Sequence, residues 1–247
     1  MSDTLTAADW QAQHGKMPRL YVPAELAAGT TLALPDGPAK HVTRVLRMGE
    51  GAPLIVFDGS GHEAGVRLAE VSRKQTTMTV EAVWAGSGES PLAVHLGQAI
   101  SKGDRMDYAI QKAVELGVAA ITPLYTERGD VRLKGDREEK KLAHWQAVAA
   151  SACEQSGRAV VPPVHPPQTL GEWLAERQEP LRLMLHLATG NGFAQSERPT
   201  SAALLIGPEG GLSDTDIQAA TASHFTPLTL GPRVLRTETA PVVALTL

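Results

Sequence analysis

The chain has 247 residues, 43% of them hydrophobic, and its 27 acidic and 23 basic side chains give a formal net charge of −4. That charge argues against a general affinity for nucleic acid, so any RNA contact must use a local basic surface. A single cysteine excludes an intrachain disulfide, and no apolar run approaches the ~20 residues that cross a bilayer. There is no signal-peptide pattern and no zinc-ligand spacing, so we predict a cytoplasmic protein with neither membrane nor metal as a partner.

Residues 1–16 are polar and rich in alanine, and we predict a mobile N-terminal extension there. Residues 17–85 carry short β-rich runs separated by Gly, Pro and Asp, interrupted by one short helix over 38–46. This pattern predicts a small β-barrel. On the short helix, Arg44 and Arg47 lie three positions apart and are expected to share a face. Such a face either contacts RNA or is simply solvated.

The segment over 86–91, Gly-Ser-Gly-Glu-Ser-Pro, predicts a linker. Residues 92–247 then alternate between strand and helix patterns, which predicts an α/β domain. We expect Asp104 to cap the first helix of this domain and Gly117 to end it. The other expected elements are strands over 92–100, 119–125 and 181–188, a long helix over 137–154, and a loop over 189–199.

Two apolar runs near the C-terminus each break at Gly-Pro. The first ends at Gly207 and continues as Pro-Glu-Gly-Gly-Leu-Ser, and the second spans 230–239 as Leu-Gly-Pro-Arg-Val-Leu-Arg-Thr-Glu-Thr. Both predict buried strands that stop at a loop, and we expect the two strands to be neighbours. Ligands of α/β sheets bind beyond the carboxyl ends of strands, so we predict one cleft built from both loops. Ser213, followed by Asp216, predicts a capped helix after the first loop.

The first loop is neither a phosphate-binding P-loop nor a Gly-x-Gly-x-x-Gly motif. Its three glycines, Gly207, Gly210 and Gly211, let the backbone approach a ligand closely and adopt positive φ angles. A plain tight turn is the alternative interpretation of this loop alone. The second loop favours binding, because it adds two arginines and a Thr-Glu-Thr run.

The arginines of the second loop are Arg233 and Arg236. A guanidinium suits phosphate and carbonyl oxygens through its planar fork. Two roles are open for each arginine: it faces the ligand, or it pairs with Glu209 or Glu238 and fixes the shape of the loop. The same two glutamates, or a water molecule, are the candidate proton acceptors.

The two loops resemble the RsmE family, as do the blocks HVTRVLRM over 41–48, SKGDRMD over 101–107, QKAVELG over 111–117 and ACEQSGR over 152–158. The resemblance covers about residues 17–247. Its members are SPOUT-superfamily enzymes that methylate N3 of a uridine in 16S rRNA of the small ribosomal subunit, with S-adenosyl-L-methionine as methyl donor. The family also leads us to expect a few residues beyond Leu247.

The resemblance implies an architecture and an assembly. The fold class would be α/β, with an N-terminal PUA-like RNA-binding β-barrel over 17–85 and a C-terminal SPOUT α/β trefoil-knot domain over 92–247. The implied assembly is a homodimer, with the helices that begin at Asp104 and after Thr237 as interface elements.

The resemblance and the loop chemistry together assign candidate site residues. Candidates for catalysis are Arg236, Glu238 and Arg233. Candidates for cofactor binding are Leu185, His186, Ile206, Gly207, Pro208, Glu209, Gly210, Gly211, Leu230, Gly231, Val234, Leu235 and Thr237. Candidates for RNA binding are Arg19, Lys40, His41, Arg44, Arg47, Lys102, Arg105, Glu154 and Arg158. His186 also fits a structural role as a partly buried histidine.

Two other functions stay open from the sequence. One is a SPOUT methyltransferase that acts on a ribose 2′-hydroxyl of tRNA or rRNA. The other is a non-catalytic RNA-binding protein that kept the fold. The N-terminal barrel and the Arg-Thr-Glu-Thr run favour base methylation, and affinity for S-adenosylmethionine separates an enzyme from a pure binder.

Overall fold

The computed structural model describes residues 6–72, 74–186 and 199–247, which form two compact units. The first unit extends to Glu89 and also takes in Cys153–Val161. The second holds Ser90–Ala152 and Pro162–Leu247. The sequence assigns 153–161 to the C-terminal domain, whereas the structure places it in the first unit. The loop expected over 189–199 lies outside the described residues, except for its last residue.

The first unit is built on one five-stranded sheet. Its strands are β1 (Arg19–Tyr21), β2 (Thr31–Ala33), β3 (Pro53–Phe57), β4 (His62–Val71) and β5 (Thr76–Ala85). Their order is β1-β3-β4-β5-β2, with β1 parallel to β3 and the other pairs antiparallel. Successive side chains point to opposite faces of a strand. Met78 and Val80 therefore both face the apolar core, where Leu54 and Val56 meet them.

An N-terminal helix, α1 (Ala7–His14), packs on this sheet, so the prediction of a mobile extension is wrong for that stretch. A capping box starts it: the Asp9 N–H donates to the Thr6 hydroxyl (3.3 Å), and the Thr6 N–H donates to the Asp9 carboxylate (2.9 Å). Trp10 anchors it and is only 4% exposed. Gly65 makes room for the indole, because a Cβ there would lie 2.4 Å from the ring.

The short helix expected over 38–46 is present in two parts. Helix α2 (Asp36–Lys40) continues into a π-helical turn over His41–Val45. Arg47 follows this turn with φ of +53°, a left-handed conformation that side chains other than glycine rarely adopt. Arg44 and Arg47 are both exposed, but they do not share a helix face as the sequence predicts, because only Arg44 is helical.

The second unit is built on a six-stranded sheet in which every strand pairing is parallel. Its strands are β6 (Ala93–Ala99), β7 (Ala120–Tyr125), β8 (Gln168–Thr169), β9 (Leu181–Leu185), β10 (Ser201–Ile206) and β11 (Thr226–Leu228), in the order β11-β9-β10-β6-β7-β8. Parallel sheets are covered on both faces, which explains the unbroken buried run over 202–206. The carboxyl ends of all six strands lie at one edge.

Two expectations about the last strands are wrong. Strand β11 ends at Leu228, so the second apolar run, which starts at Leu230, lies in the loop beyond the strand. Strands β10 and β11 are also not neighbours, because β9 lies between them. Both loops nevertheless open on the same edge of the sheet, since the three strands run parallel. Leu185, the last residue of β9, and His186, which follows it, lie at that edge between the two loops.

Among the described residues, four helices lie between these strands, α3 (Asp104–Glu115), α4 (Asp136–Ser156), α5 (Leu170–Ala175) and α6 (Asp214–Ala222), and α7 (Ala240–Leu245) follows the last strand. The capping box predicted for α6 is confirmed, with reciprocal bonds between Ser213 and Asp216 of 3.0 and 3.2 Å. The N-cap of α3 is Gly103 and not Asp104, at a φ of +62° that glycine adopts readily. Helix α3 packs against α7. In the part of the chain that the structure describes, no helix has the length and apolar character to span a bilayer.

Candidate active site

A cavity of about 660 Å³ lies at the carboxyl edge of the second unit's sheet. The chain segments that follow β9, β10 and β11 build it, and Arg105 from the first turn of α3 adds one side chain to its rim. Every residue predicted for catalysis or cofactor binding lines this cavity, except Gly231. The structure therefore brings those candidates together in one place. Three lining residues were not predicted for the site: Leu212, Leu228 and Ala240.

The glycine loop after β10 is shaped by its own packing. A Cβ on Gly207 would lie 3.0 Å from both the backbone nitrogen and the Cγ of Leu212. Gly211 has φ of +71°, and its N–H donates to the carbonyl of Pro208 at 2.9 Å, which closes a turn. Leu212 is thus the apolar floor of the loop. Its position between Gly211 and the capping Ser213 is the signal that could have identified it.

The loop between β7 and α4 supports the glycine loop from the side. The Ser213 hydroxyl donates to the Glu127 carboxylate at 2.5 Å. The Arg128 guanidinium donates to the carbonyls of Gly210 (3.4 Å) and Leu212 (3.3 Å). The sequence does not reveal these contacts, because they join segments about 80 residues apart. They tie the backbone of the glycine loop to the loop between β7 and α4.

A buried hydrogen-bond chain ties the two loops together. The Thr237 hydroxyl donates to the carbonyl of Gly207 at 2.9 Å and accepts from the amide nitrogen of Gln98 at 3.0 Å. Gln98 belongs to β6, is fully buried, and pairs in register with Ile206. A polar residue without exposure needs such partners. Gln98 was not among the predicted site residues, although an amide inside an apolar strand is a recognisable signal.

The charged side chains of the cavity are one ion pair, two arginines and one further glutamate. Arg105 and Glu209 form an ion pair of 3.0 Å, and each is a little under half exposed. Arg233 and Arg236 are exposed, and within the described residues neither has an ion pair. Glu209 is thus paired with α3, so it does not fix the shape of the second loop. Glu238 lines the cavity, and its Oε2 is buried without a hydrogen-bond partner among the described residues.

The RNA-binding candidates divide by exposure. Lys40, His41, Arg44 and Arg47 are exposed on the first unit. Lys40 has a loose ion pair with Asp36 at 3.4 Å. On the second unit, the exposed Lys102 pairs with Asp130 at 2.6 Å and Arg105 lines the cavity.

Three of the RNA-binding candidates have internal roles instead. The Arg19 guanidinium stacks 4.0 Å from the centre of the Phe57 ring, pairs with Glu63 and donates to the carbonyl of Arg158 at 2.8 Å. Arg158 is 4% exposed and pairs with Glu89 at 2.6 Å. Guanidinium groups that are buried and paired in this way join segments of the first unit and are not free for phosphate. The third, Glu154, accepts from the backbone N–H of Tyr21 at 2.9 Å.

The described residues contain no group of three or more His, Cys, Asp or Glu side chains that could hold a metal ion. The chemistry of the cavity thus comes from apolar walls, backbone polar groups, arginines and carboxylates. This set of groups suits a small molecule with an apolar body and several hydrogen-bonding edges.

Comparison with known proteins identifies the family. Residues 88–247 match the RNA methyltransferase domain family, and residues 34–80 match the RNA methyltransferase PUA domain family. Ribosomal RNA small subunit methyltransferase E of Buchnera aphidicola is 34% identical over 233 residues, which cover 94% of this chain and 92% of that protein. This chain belongs to the ribosomal RNA small subunit methyltransferase E family. The Bacillus subtilis member is 31% identical, with 90% of each chain covered.

A solved structure of the same family has the same fold. The Neisseria gonorrhoeae ribosomal RNA small subunit methyltransferase E, bound to S-adenosyl methionine, superposes with a TM-score of 0.87 at 39% identity, over 94% of this chain and 96% of that one. These matches confirm the resemblance to the RsmE family, the α/β fold and the PUA character of the first unit. The roles of the individual site residues stay predictions.

Proposed function

We propose that this protein uses S-adenosylmethionine to methylate N3 of a uridine in the 16S rRNA of the small ribosomal subunit. The observation that carries the proposal is the cavity between the loops after β10 and β11, in a chain of the methyltransferase E family. The relative from Neisseria gonorrhoeae is bound to S-adenosyl methionine. Its name, and those of the other relatives, state ribosomal RNA of the small subunit as the substrate.

The residues of the cavity fit the cofactor. A volume of about 660 Å³ is in the range of about 300–1,000 Å³ that small-molecule sites occupy. Leu185, Ile206, Leu228 and Leu230 provide apolar walls for the adenine ring. Backbone groups beyond the strand ends provide donors and acceptors for its edge. When bound, S-adenosylmethionine supplies an electrophilic methyl group.

Arg233 and Arg236 act on the uracil side of the reaction. Loss of the N3 proton leaves negative charge on the uracil oxygens, and an unpaired guanidinium at the mouth of the cavity stabilises it. An arginine does not lose its own proton in a protein, so neither residue serves as the base. Glu238 is our candidate proton acceptor, because it lines the cavity and one of its oxygens has no partner among the described residues.

The first unit recognises RNA through its exposed basic side chains. Lys40, His41, Arg44 and Arg47 lie within eight consecutive positions and reach solvent. We propose that this PUA-like unit closes into a β-barrel and positions the ribosomal substrate. An acidic protein has little general affinity for bare RNA, so an assembled small subunit is the favoured substrate.

The finer architecture belongs to the same proposal. Residues 226–247 would thread the loop formed by 207–225 to make a trefoil knot that holds the cofactor. Two copies would associate through α3 and α7, and the 45% exposed Tyr108 on α3 supports a covered face there. The enzyme would act in the cytoplasm, where the small subunit is assembled.

Methylation in vitro tests the function. Small subunits from a strain without the methylase are incubated with the protein and S-adenosylmethionine, and reverse transcription maps the product. Methylation at N3 blocks the Watson–Crick face and stops the transcriptase at one uridine. A 2′-O-methyl product, which leaves that face free, would support the ribose methyltransferase instead. Absence of both transfer and cofactor binding by calorimetry would support a pure RNA-binding protein.

A further inference from the structure

A basic face on α4 has no role in the site described above. Arg137, Lys140, Lys141 and His144 are spaced at i, i+3, i+4 and i+7, which puts them on one side of the helix. Together with Asp136 they line a shallow cavity of about 470 Å³. Arg137, Lys140 and His144 are exposed, and Lys141 is partly so. Within the described residues, none of Arg137, Lys140 and Lys141 has an ion pair.

Contacts at both sides of α4 link this face to segments that line the active-site cavity. Helix α4 starts at the carboxyl edge of the sheet, because β7 ends there and the loop that follows leads into the helix. Arg128 in that loop contacts the carbonyls of Gly210 and Leu212 in the glycine loop. On the other side, the His144 Nε2 lies 2.7 Å from the Asp107 carboxylate of α3. Two positions before Asp107, Arg105 lines the active-site cavity itself.

We propose that the basic face, Arg137, Lys140, Lys141 and His144, docks the phosphate backbone of the rRNA strand that flanks the target nucleotide. The proposal rests on the proposed function, since it presumes an RNA substrate. A protein of net charge −4 gains affinity for a polyanion only where unpaired cations are concentrated, as they are here. Lysine and arginine are the residues that bind phosphate oxygens.

The length of the face matches more than one phosphate. Arg137 and His144 are seven residues apart, which is about 10 Å along a helix axis at ~1.5 Å per residue. A stacked strand advances about 3.4 Å per nucleotide, so the face spans about three nucleotides. Because α4 begins at the sheet edge on which the cavity opens, a strand bound there would lead towards the active site. A solvated surface without RNA contact is the alternative.

The test removes charge without removing length. Arg137→Gln, Lys140→Gln and Lys141→Gln are made singly and together, and methyl transfer to small subunits is measured across a salt series. The proposal predicts a KM for RNA raised about threefold or more by each change and at least tenfold by the triple variant. The logarithmic salt slope should fall by about one for each phosphate that a variant no longer neutralises. The kcat at saturating substrate and the Kd for S-adenosylmethionine should stay at wild-type values.

Two matched variants serve as controls. Lys74→Gln removes one exposed charge from the first unit and should leave the KM unchanged, while Lys140→Arg keeps the charge and should behave as wild type. A triple variant with wild-type KM and salt slope overturns the proposal. So does a raised KM with the wild-type salt slope, because a variant that neutralises fewer phosphates must show a smaller slope. If the wild-type protein itself transfers no methyl group to uridine N3, the proposed function fails before the surface is tested.

Discussion

Replacing Thr237 with valine tests the tie between the two loops of the active site. The change keeps the volume of the side chain and removes the hydroxyl that joins Gln98 to the carbonyl of Gly207. The Gln98 amide is left in a region that water does not reach, since Gln98 is 0% exposed, whereas Gly207 is only partly buried and lines the cavity. A stranded buried group costs about 1–3 kcal/mol. The Gln98 amide keeps a weaker bond to the carbonyl of Ala99 at 3.3 Å, so we expect a loss of about 1–3 kcal/mol in the free energy of unfolding.

Calorimetry with S-adenosylmethionine and urea unfolding measure the two consequences of Thr237→Val. We expect cofactor affinity to fall at least about tenfold, because 1.4 kcal/mol of lost positioning is already a factor of ten. Thr237→Ser retains the hydroxyl and should restore most of both quantities. Thr122→Val is the matched control: it removes a buried hydroxyl bonded to His95 at 2.8 Å in the same sheet, but away from the cavity. Wild-type affinity in Thr237→Val, or an equal loss of affinity in Thr122→Val, would refute the tie.

Three further outcomes follow from the structure. Arg236→Ala should lower kcat by about 10²–10³ with the cofactor Kd unchanged, and a change in Kd alone would contradict its role on the uracil side. Trp10→Ala should lower the unfolding free energy of the first unit by about 3–5 kcal/mol, against less than about 0.5 kcal/mol for an exposed tail residue. Burial, with help from Arg177 and His165, lowers the pKa of His95 from 6.5 to about 3. Between about pH 6.5 and pH 3, His95 is therefore protonated in the unfolded chain but not in the folded chain. The free energy of unfolding falls as the pH is lowered through this range, by about 2 kcal/mol at pH 5. Urea unfolding measures the difference in unfolding free energy between pH 8 and pH 5. In His95→Gln this difference should be about 2 kcal/mol smaller than in the wild type, and an unchanged difference would exclude His95 as the cause.

Local chemistry made the site predictable from the sequence. Gly207 and Gly211 mark where a strand stops and the backbone turns, and Ser213 with Asp216 marks where the next helix begins. Each of these signals involves only a few neighbouring residues, so it can be recognised without knowledge of the fold. Because the strands are parallel, the loops that follow them lie at one edge of the sheet and can line one cavity, whatever the order of the strands.

Long-range pairing explains what the sequence did not reveal. The position of β9 between β10 and β11 depends on which strands pair, and no local pattern encodes that choice. Gln98 is separated from Thr237 by 139 positions, so its role emerges only when β6 and β10 lie side by side. Arg19 shows the opposite error. The sequence predicted that this basic residue binds RNA, but in the fold its guanidinium contacts Phe57 and Glu63.

The segment over 153–161 has a consequence for how the chain folds as it is synthesised. It lies in the second half of the sequence, yet Val160 forms bridges with Gly59 and Ser60, and Arg158 pairs with Glu89. A ribosome must therefore release residues beyond 161 before the first unit has all of its partners. A fragment that ends at Glu89 would leave that carboxylate without Arg158, and Gly59 and Ser60 without their bridges to Val160. The first unit can therefore be completed only after most of the polypeptide has been synthesised, including helix α4, which leads into the segment.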